Sequence, residues 1–388
     1  QYEEDSEELP TYKMIQLTNE ISAATVEAIG GTEWKRILDY SSFRDMAQEA
    51  HPGASEAQID KVMYDVDSMG DLATTALAHE TAELLSSPPD GFTEVSLLDP
   101  KGLILRLGPE DKEKFMAWRE TKPKPELVRA LEEGELSQRF PIYSGPTDNA
   151  WCVEDEGEID VAALLEGYLR GARAGGVELR TDAGVESFLE SEGRIIGVRL
   201  SSGEEIRAKQ IAVSAGGWAG ELAKMAGSKL HLQPRRRHLM VSSLNPEIDP
   251  RWPIFWSHPE GFYARPESGG MLMCACDESV IAPDECSVES GAVERIALKA
   301  AELIPAITES DCAHIWSGMR TFTEDDNFLI GPDPDVSGLH WIAALGGHGV
   351  TCSAGVGRLA AAHLLGDKPE DAVARALDPR RFAVTTTA

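Results

Sequence analysis

A chain of 388 residues, 42% apolar and 26% charged, is long enough for two domains or one elaborate one with an ample core. Its formal charge of −30 argues against nucleic acid as a partner, because phosphate binding requires clustered Lys and Arg, and reads instead as a solvated acidic surface. No apolar run approaches ~18 residues, so no membrane span is expected, and the acidic start QYEEDSEEL does not resemble a signal peptide.

In chain order, residues 1–11 read as a disordered acidic arm; the first residue is Gln rather than Met, so a trimmed or processed N-terminus is expected. Residues 12–40 read as strand, helix and a second strand, KRILDY. A strand running straight into a helix is where a dinucleotide fold holds a pyrophosphate, but that turn carries Thr18, Glu20 and Ala23 where glycines are needed. A carboxylate at Glu20 beside a phosphate would repel it by roughly 1–4 kcal/mol at ~4 Å. Residues 41–90 are polar and mostly helical, with DLATTALAHETAELLSS ending at Pro88-Pro89. Residues 91–150 mix short strands such as GLILRL with a helix from near Pro109 and a loop rich in Pro and Gly.

After Asp155 the pattern sharpens. Val161, Leu164, Leu165, Tyr168, Leu169 and Ala172 form one apolar stripe at helical spacing, with Asp160 placed to cap its start and Gly175-Gly176 its end. Three strands are expected next: GVELRTD, VESFLES, and RIIGVRLSSGEEIRA folding back at Ser202-Gly203. KQIAVSAGGWAGELAKMAG reads as a buried strand, a Gly turn and a short helix. Residues 230–320 alternate strands with one amphipathic helix marked by Val293, Ile296, Ala300 and Leu303. GLHWIAALGGHGVTCSAGVGRLAAAHLLG is again strand, Gly-rich loop and helix.

The six cysteines contain no CxxC pair and no ligand-like run with His, so no metal site is expected. Cys274 and Cys276 alternate in GGMLMCACDE, as in a strand with both sulfurs on one face; reduced, structural cysteines in a cytoplasmic protein are the expectation. Gly346, Gly347 and Gly349 lie between an apolar strand and a helix opening near Ser353. Glycines there let a flat ligand approach the backbone, and free amides at a helix start favour partial negative charge. A tight structural turn under a core helix would use the same residues.

IAVSAGGWAGELA together with the final segment resembles the D-amino-acid oxidase and dehydrogenase family of flavoproteins, whose chains carry A-A-G-x-W here and G-G-x-G-x near the end. EIDVAALLEGYLRGARAGGVELRTDAGV is similar to that family's helix and adenine-side strand, and WSGMRTFTEDDNFLIGPDPDVSGLHWIAAL to the segment bearing its carboxylate-binding arginine; LDPRRF also fits. The resemblance covers roughly residues 140–382, with only the outline persisting over residues 12–100.

The resemblance implies an α/β two-domain fold: a Rossmann-like FAD-binding domain from residues 12–45, 155–228 and 320–388, and an antiparallel-sheet substrate domain from residues 46–154 and 229–319. It implies FAD as cofactor, held by Asp39, Val185, Gly216, Trp218, Gly346, Gly347, Gly349, Val350 and Thr351. It implies Arg320 as a bidentate partner of a substrate carboxylate, Tyr263 as a second contact to it, and His348 beside the flavin ring. Arg320 could instead pair with Asp325 or Asp326. One of Arg236 and Arg237, of which only one can face inward from an alternating strand, would add a second positive group; Arg237 is taken as the candidate. The function implied is oxidation of a small amino acid (a D-amino acid, glycine or an N-methyl amino acid) or a related carboxylate, with oxygen or another acceptor taking the electrons. The alternative, supported by the Thr18/Glu20/Ala23 turn, is a flavin-less paralogue serving as a binding or scaffolding subunit. Homo- and hetero-oligomers are both compatible with the sequence.

Overall fold

The computed structural model describes residues 72–383 apart from 123, 368 and 370. The expected acidic arm, the Thr18/Glu20/Ala23 turn and Asp39 therefore lie outside the described residues.

The described chain opens with α1 (Leu72–Ser86), β1 (Leu98–Asp99), β2 (Leu103–Arg106), α2 (Lys112–Thr121), β3 (Val128–Ala130), α3 (Glu135–Arg139), β4 (Ala150–Val153) and β5 (Glu158–Ile159). Helix α4 (Val161–Ala174) follows the expected stripe: the Asp160 carboxylate accepts from Ala163 N at 2.9 Å as its cap, and Leu164, Tyr168, Leu169 and Ala172 are buried. Val161 and Leu165, at the margins of the stripe, are exposed. GVELRTD departs from expectation. It forms no ladder among the described residues; its alternating Val177 and Leu179 pack on the α4 cluster instead. Strand-like alternation was met by helix packing.

Strands β6 (Val185–Ser191), β7 (Arg194–Leu200) and β8 (Glu205–Arg207) form a three-stranded meander. Strand β9 (Ile211–Val213) leads through the Gly216–Trp218 turn into α5 (Ala219–Ala226). Then come β10 (Gln233–Ser242), β11 (Ile254–Ser257), β12 (Phe262–Glu267), β13 (Gly270–Cys274), α6 (Ala292–Leu303) and β14 (Cys312–Phe322). The described chain closes with β15 (Leu329–Pro332), β16 (Leu339–Ala343), α7 (Ser353–Leu365) and α8 (Ala372–Leu377).

Two sheets organise the molecule. The larger has eight strands in the order β14-β10-β13-β12-β11-β2-β4-β3. It is antiparallel apart from β11 and β2, which run parallel with Ile254 opposite Leu103; these strands meet from distant parts of the chain rather than through a hairpin. Its inner face carries Phe255, Phe262, Ala264, Met271, Met273 and Met240 against Ile296, Ala300 and Leu303 of α6, the largest core cluster. The smaller sheet, β15-β16-β9, is covered on one side by α5 through Leu222 and Ala223. On its other side lie α7 and α1 through Val356, Leu359 and Leu77. This mixed α/β arrangement with a large, nearly antiparallel sheet agrees with the expected fold class.

Candidate functional site

Strand register decides which side chains meet on the outer face of the large sheet. Cross-strand partners point the same way, and residues two apart along a strand share a face. Arg235 lies opposite Arg320 and Arg237 opposite Gly318. Val241 lies opposite Leu272, and Tyr263 opposite Cys274. Arg235, Arg237, Cys274, Tyr263 and Arg320 therefore share the face opposite the methionine-rich core. Five residues become neighbours: the Arg320 charge acts on both Tyr263 and His348, and Arg237 lies close enough for its charge to act on Cys274.

The neighbouring arginines are neutralised. Arg235 approaches Glu278 and Asp326 at 3.5 Å each and lies over the Phe322 ring at 4.3 Å. Arg236 points to the opposite face, with Glu289 at 2.7 Å, while Arg237 pairs with Glu278. The expectation that only one of the pair faces this site thus resolves to Arg237. Asp325 is held by Arg381 at 2.7 Å and Asp326 by Arg235, so neither takes Arg320. Half-buried Arg320 has no hydrogen-bond or ion-pair partner among the described residues.

The Gly-rich loop is fastened to the end of β14. Gly346 N donates to Thr321 O at 3.1 Å, and Gly347 takes φ +97°, where a Cβ would lie 2.8 Å from Arg320 Nε. Only glycine leaves the guanidinium room there. His348 keeps an accessible edge, yet the protein packed around it and the Arg320 charge hold its pKa below the ordinary histidine value. It is neutral near pH 7. Burial first, and then the nearby Cys274, push the Tyr263 hydroxyl upward, so it is a donor rather than a phenolate.

Most of the residues expected to hold the flavin fall on two turns flanking β14. Gly216 takes φ +52° with open space where a Cβ would stand, and Met319 of β14 packs onto Gly217. Trp218 is half-buried against the α5 cluster. At the other turn, Ala354 N at the head of α7 is satisfied by Thr81 Oγ1 at 3.1 Å. The amides of Gly349, Val350 and Thr351 have no acceptor among the described residues. Val185 opens β6, opposite Leu200, in the separate meander.

The chain belongs to the family of FAD-dependent oxidoreductases. Its family model, FAD dependent oxidoreductase (DAO), matches residues 45–363. Glycine oxidase of Pseudomonas aeruginosa is 26% identical over 70% of this chain and 73% of its own. Mitochondrial dimethylglycine dehydrogenase of Mus musculus is 28% identical over 66% of this chain, which spans about a third (32%) of that longer protein. Among solved structures, L-proline dehydrogenase from P. horikoshii superposes with a TM-score of 0.69 at 19% identity, covering 81% of this chain and 84% of its own.

FAD is the family's cofactor, and the residues present fit it. An open left-handed glycine at Gly216, together with unsatisfied amides at 349–351, is what a flat, partly anionic group needs from a backbone. The sequence reading missed Cys274 and Cys276 as members of this region. They do not alternate along one strand: β13 ends at Cys274, and Cys276 lies beyond it with φ +50°. All six cysteines are free thiols, as expected. No helix among the described residues is long and apolar enough to cross a membrane, and among them no cluster of potential metal ligands is present.

Proposed function

We propose that this chain oxidises a small amino acid, with glycine and N-methyl amino acids the leading class and D-amino acids next, by hydride loss from the carbon bearing the amine. The observation that carries the reading is Arg320: a half-buried guanidinium without a carboxylate partner among the described residues, bordered by a phenol donor and a neutral imidazole. A substrate carboxylate supplies the missing counter-charge through two parallel N–H···O bonds, and Tyr263 adds a third donor. Arg237, already paired with Glu278, contributes field rather than a free binding group. His348 accepts the proton of the substrate ammonium on a ring nitrogen, which leaves the amine lone pair free to assist departure of the hydride.

When bound, FAD supplies the two-electron acceptor; oxygen or another acceptor then removes those electrons. Gly216, Trp218, Gly346, Gly347, Gly349, Val350 and Thr351 are the residues assigned to hold it, with Val185 and Asp39 on the adenosine side. Residues 12–45, 155–228 and 320–388 would form the FAD-binding unit, and 46–154 with 229–319 the substrate unit.

The test is direct. The purified chain, supplied with FAD and freed of excess, should retain a flavin absorbance band that bleaches under anaerobic glycine or N-methylglycine. A colourless protein that takes up no FAD would support the scaffolding subunit instead.

A further inference from the structure

We propose that Cys274 and Cys276 form a redox-active dithiol set into the wall of this site, which reacts with a peroxide and closes to a disulfide. The local geometry is built around the sulfur of Cys274. Its Sγ accepts from Cys276 N at 3.3 Å, and Cys276 itself takes φ +50°, a left-handed conformation that a side chain seldom adopts. Tyr263 sits directly across the ladder from Cys274, and the Cys276 side chain lies two residues on. Arg237, on the neighbouring strand and the same face, acts on this sulfur through its charge. It is 5% exposed, and its Nε is buried without a partner. One backbone amide is bonded to this sulfur, and a phenol and a buried guanidinium share its face of the sheet, surroundings suited to an anionic sulfur.

The ionisation follows from the geometry. The neighbouring Cys276 thiol and amide, with Arg237, hold Cys274 below the ordinary thiol value against the opposing effect of burial, whereas Cys276 is pushed up by the neighbouring sulfur and burial. Glu278, bound to both Arg235 and Arg237, is the acidic group nearest this cation pair.

The chemistry balances with peroxide as the oxidant. The Cys274 thiolate attacks a peroxide oxygen: an S–O bond forms, the O–O bond breaks and hydroxide leaves. The Cys276 thiol then displaces the sulfenic oxygen as water, forming the S–S bond. Two sulfurs lose one electron each and one peroxide is reduced. Cys276 is half-buried and Cys274 is buried. Closing the bridge removes the anion facing Tyr263 and Arg237; its effect on substrate binding rests on the proposed function, but the bridge itself does not.

The full-length chain, reduced and desalted, is treated with hydrogen peroxide, acid-quenched, unfolded and alkylated, and its peptides are weighed. The expected result is a peptide carrying Cys274 and Cys276 that escapes alkylation, is roughly 2 Da lighter than its dithiol form and returns on reduction. In Cys276→Ser, Cys274 should instead be trapped as a sulfenic acid by dimedone. Full alkylation of both residues after exposed Cys312 has been oxidised would overturn the proposal. The wild-type map decides alone if the variant does not fold. Because the readout needs neither FAD nor turnover, a colourless protein would sink the oxidase reading and leave this test intact.

Discussion

Replacing Arg320 by Leu removes the guanidinium fork of the proposed substrate site while leaving Tyr263 in place. A guanidinium–carboxylate fork contains two charge-assisted hydrogen bonds, each contributing about 1.5–3 kcal/mol. Arg320 is half-buried, so solvent competes for part of that interaction. The lower end, about 3–4 kcal/mol, is therefore the appropriate estimate, a loss of roughly 10²–10³ in kcat/KM at ~1.36 kcal/mol per decade. The same replacement should leave folding stability within about 1 kcal/mol, because no ion pair among the described residues is broken. Arg320→Lys restores charge without the fork and should recover only part of the loss. Gly347→Ala offers an independent route to the same lesion. A Cβ 2.9 Å from Arg320 Cζ at φ +97° must displace either the guanidinium or the loop. Steady-state kinetics on glycine and N-methylglycine, alongside thermal melts, checks the set. An Arg320→Leu enzyme within threefold of wild type, still folded, would remove this arginine from the substrate site.

Other outcomes follow from the same reasoning. His340, with an ordinary value of 6.5, is pushed down to about 4, by burial first and then by His363 and Arg194. Its neutral form therefore favours the folded state above pH 6.5, and that contribution is lost as pH falls from 6.5 towards 4. After a discount for solvent access this is about 1–2 kcal/mol; His340→Gln should flatten the acid limb of a urea-stability profile, and an unchanged limb would contradict the assignment. Arg358 grips Glu80 with two bonds of 2.7 Å, and the Glu80 side chain is only 1% exposed. Arg358→Leu strands that carboxylate and should cost about 3–5 kcal/mol in denaturant unfolding, much of it regained in the Glu80→Gln/Arg358→Leu double variant. Glu20→Gly should tighten FAD binding by one decade or more in a fluorescence titration, through loss of the ~1–4 kcal/mol repulsion; equal affinities would mean that Glu20 does not face the pyrophosphate.

Elements with local signals were legible from sequence. The α4 stripe, its Asp160 cap and the strand–glycine–helix units around Gly216 and Gly347 all follow from residues within one turn of one another. The meeting of Arg237, Tyr263, Cys274 and Arg320 on the large sheet was not legible from local signals, since it depends on register, a non-local property of which strand pairs with which. The cysteine pair shows the limit best. C-A-C scans as alternation along a strand, but β13 stops at its first member, and the turn that follows aims the Cys276 amide at the preceding sulfur. Nothing in the local composition announces that stop. GVELRTD fails for the converse reason, an alternating pattern absorbed by a neighbouring helix.

The balance of charge across the site supports a ligand-binding role for Arg320 over a structural one. The chain has 66 acidic residues against 36 Lys and Arg, so carboxylates are abundant and an arginine that can reach one ordinarily does. Around this site they do so with regularity: Arg235 takes Glu278 and Asp326, Arg236 takes Glu289, Arg237 takes Glu278 and Arg381 takes Asp325. Arg320 lies in the same neighbourhood, directly opposite Arg235 in the ladder, and among the described residues is left with none. Its neighbours are instead a phenol, a neutral imidazole and a glycine whose missing side chain makes room for it. A cation kept unpaired amid surplus carboxylates gains nothing for folding, and desolvating it carries a cost. The arrangement fits the proposed role, in which the counter-charge is the carboxylate of the substrate.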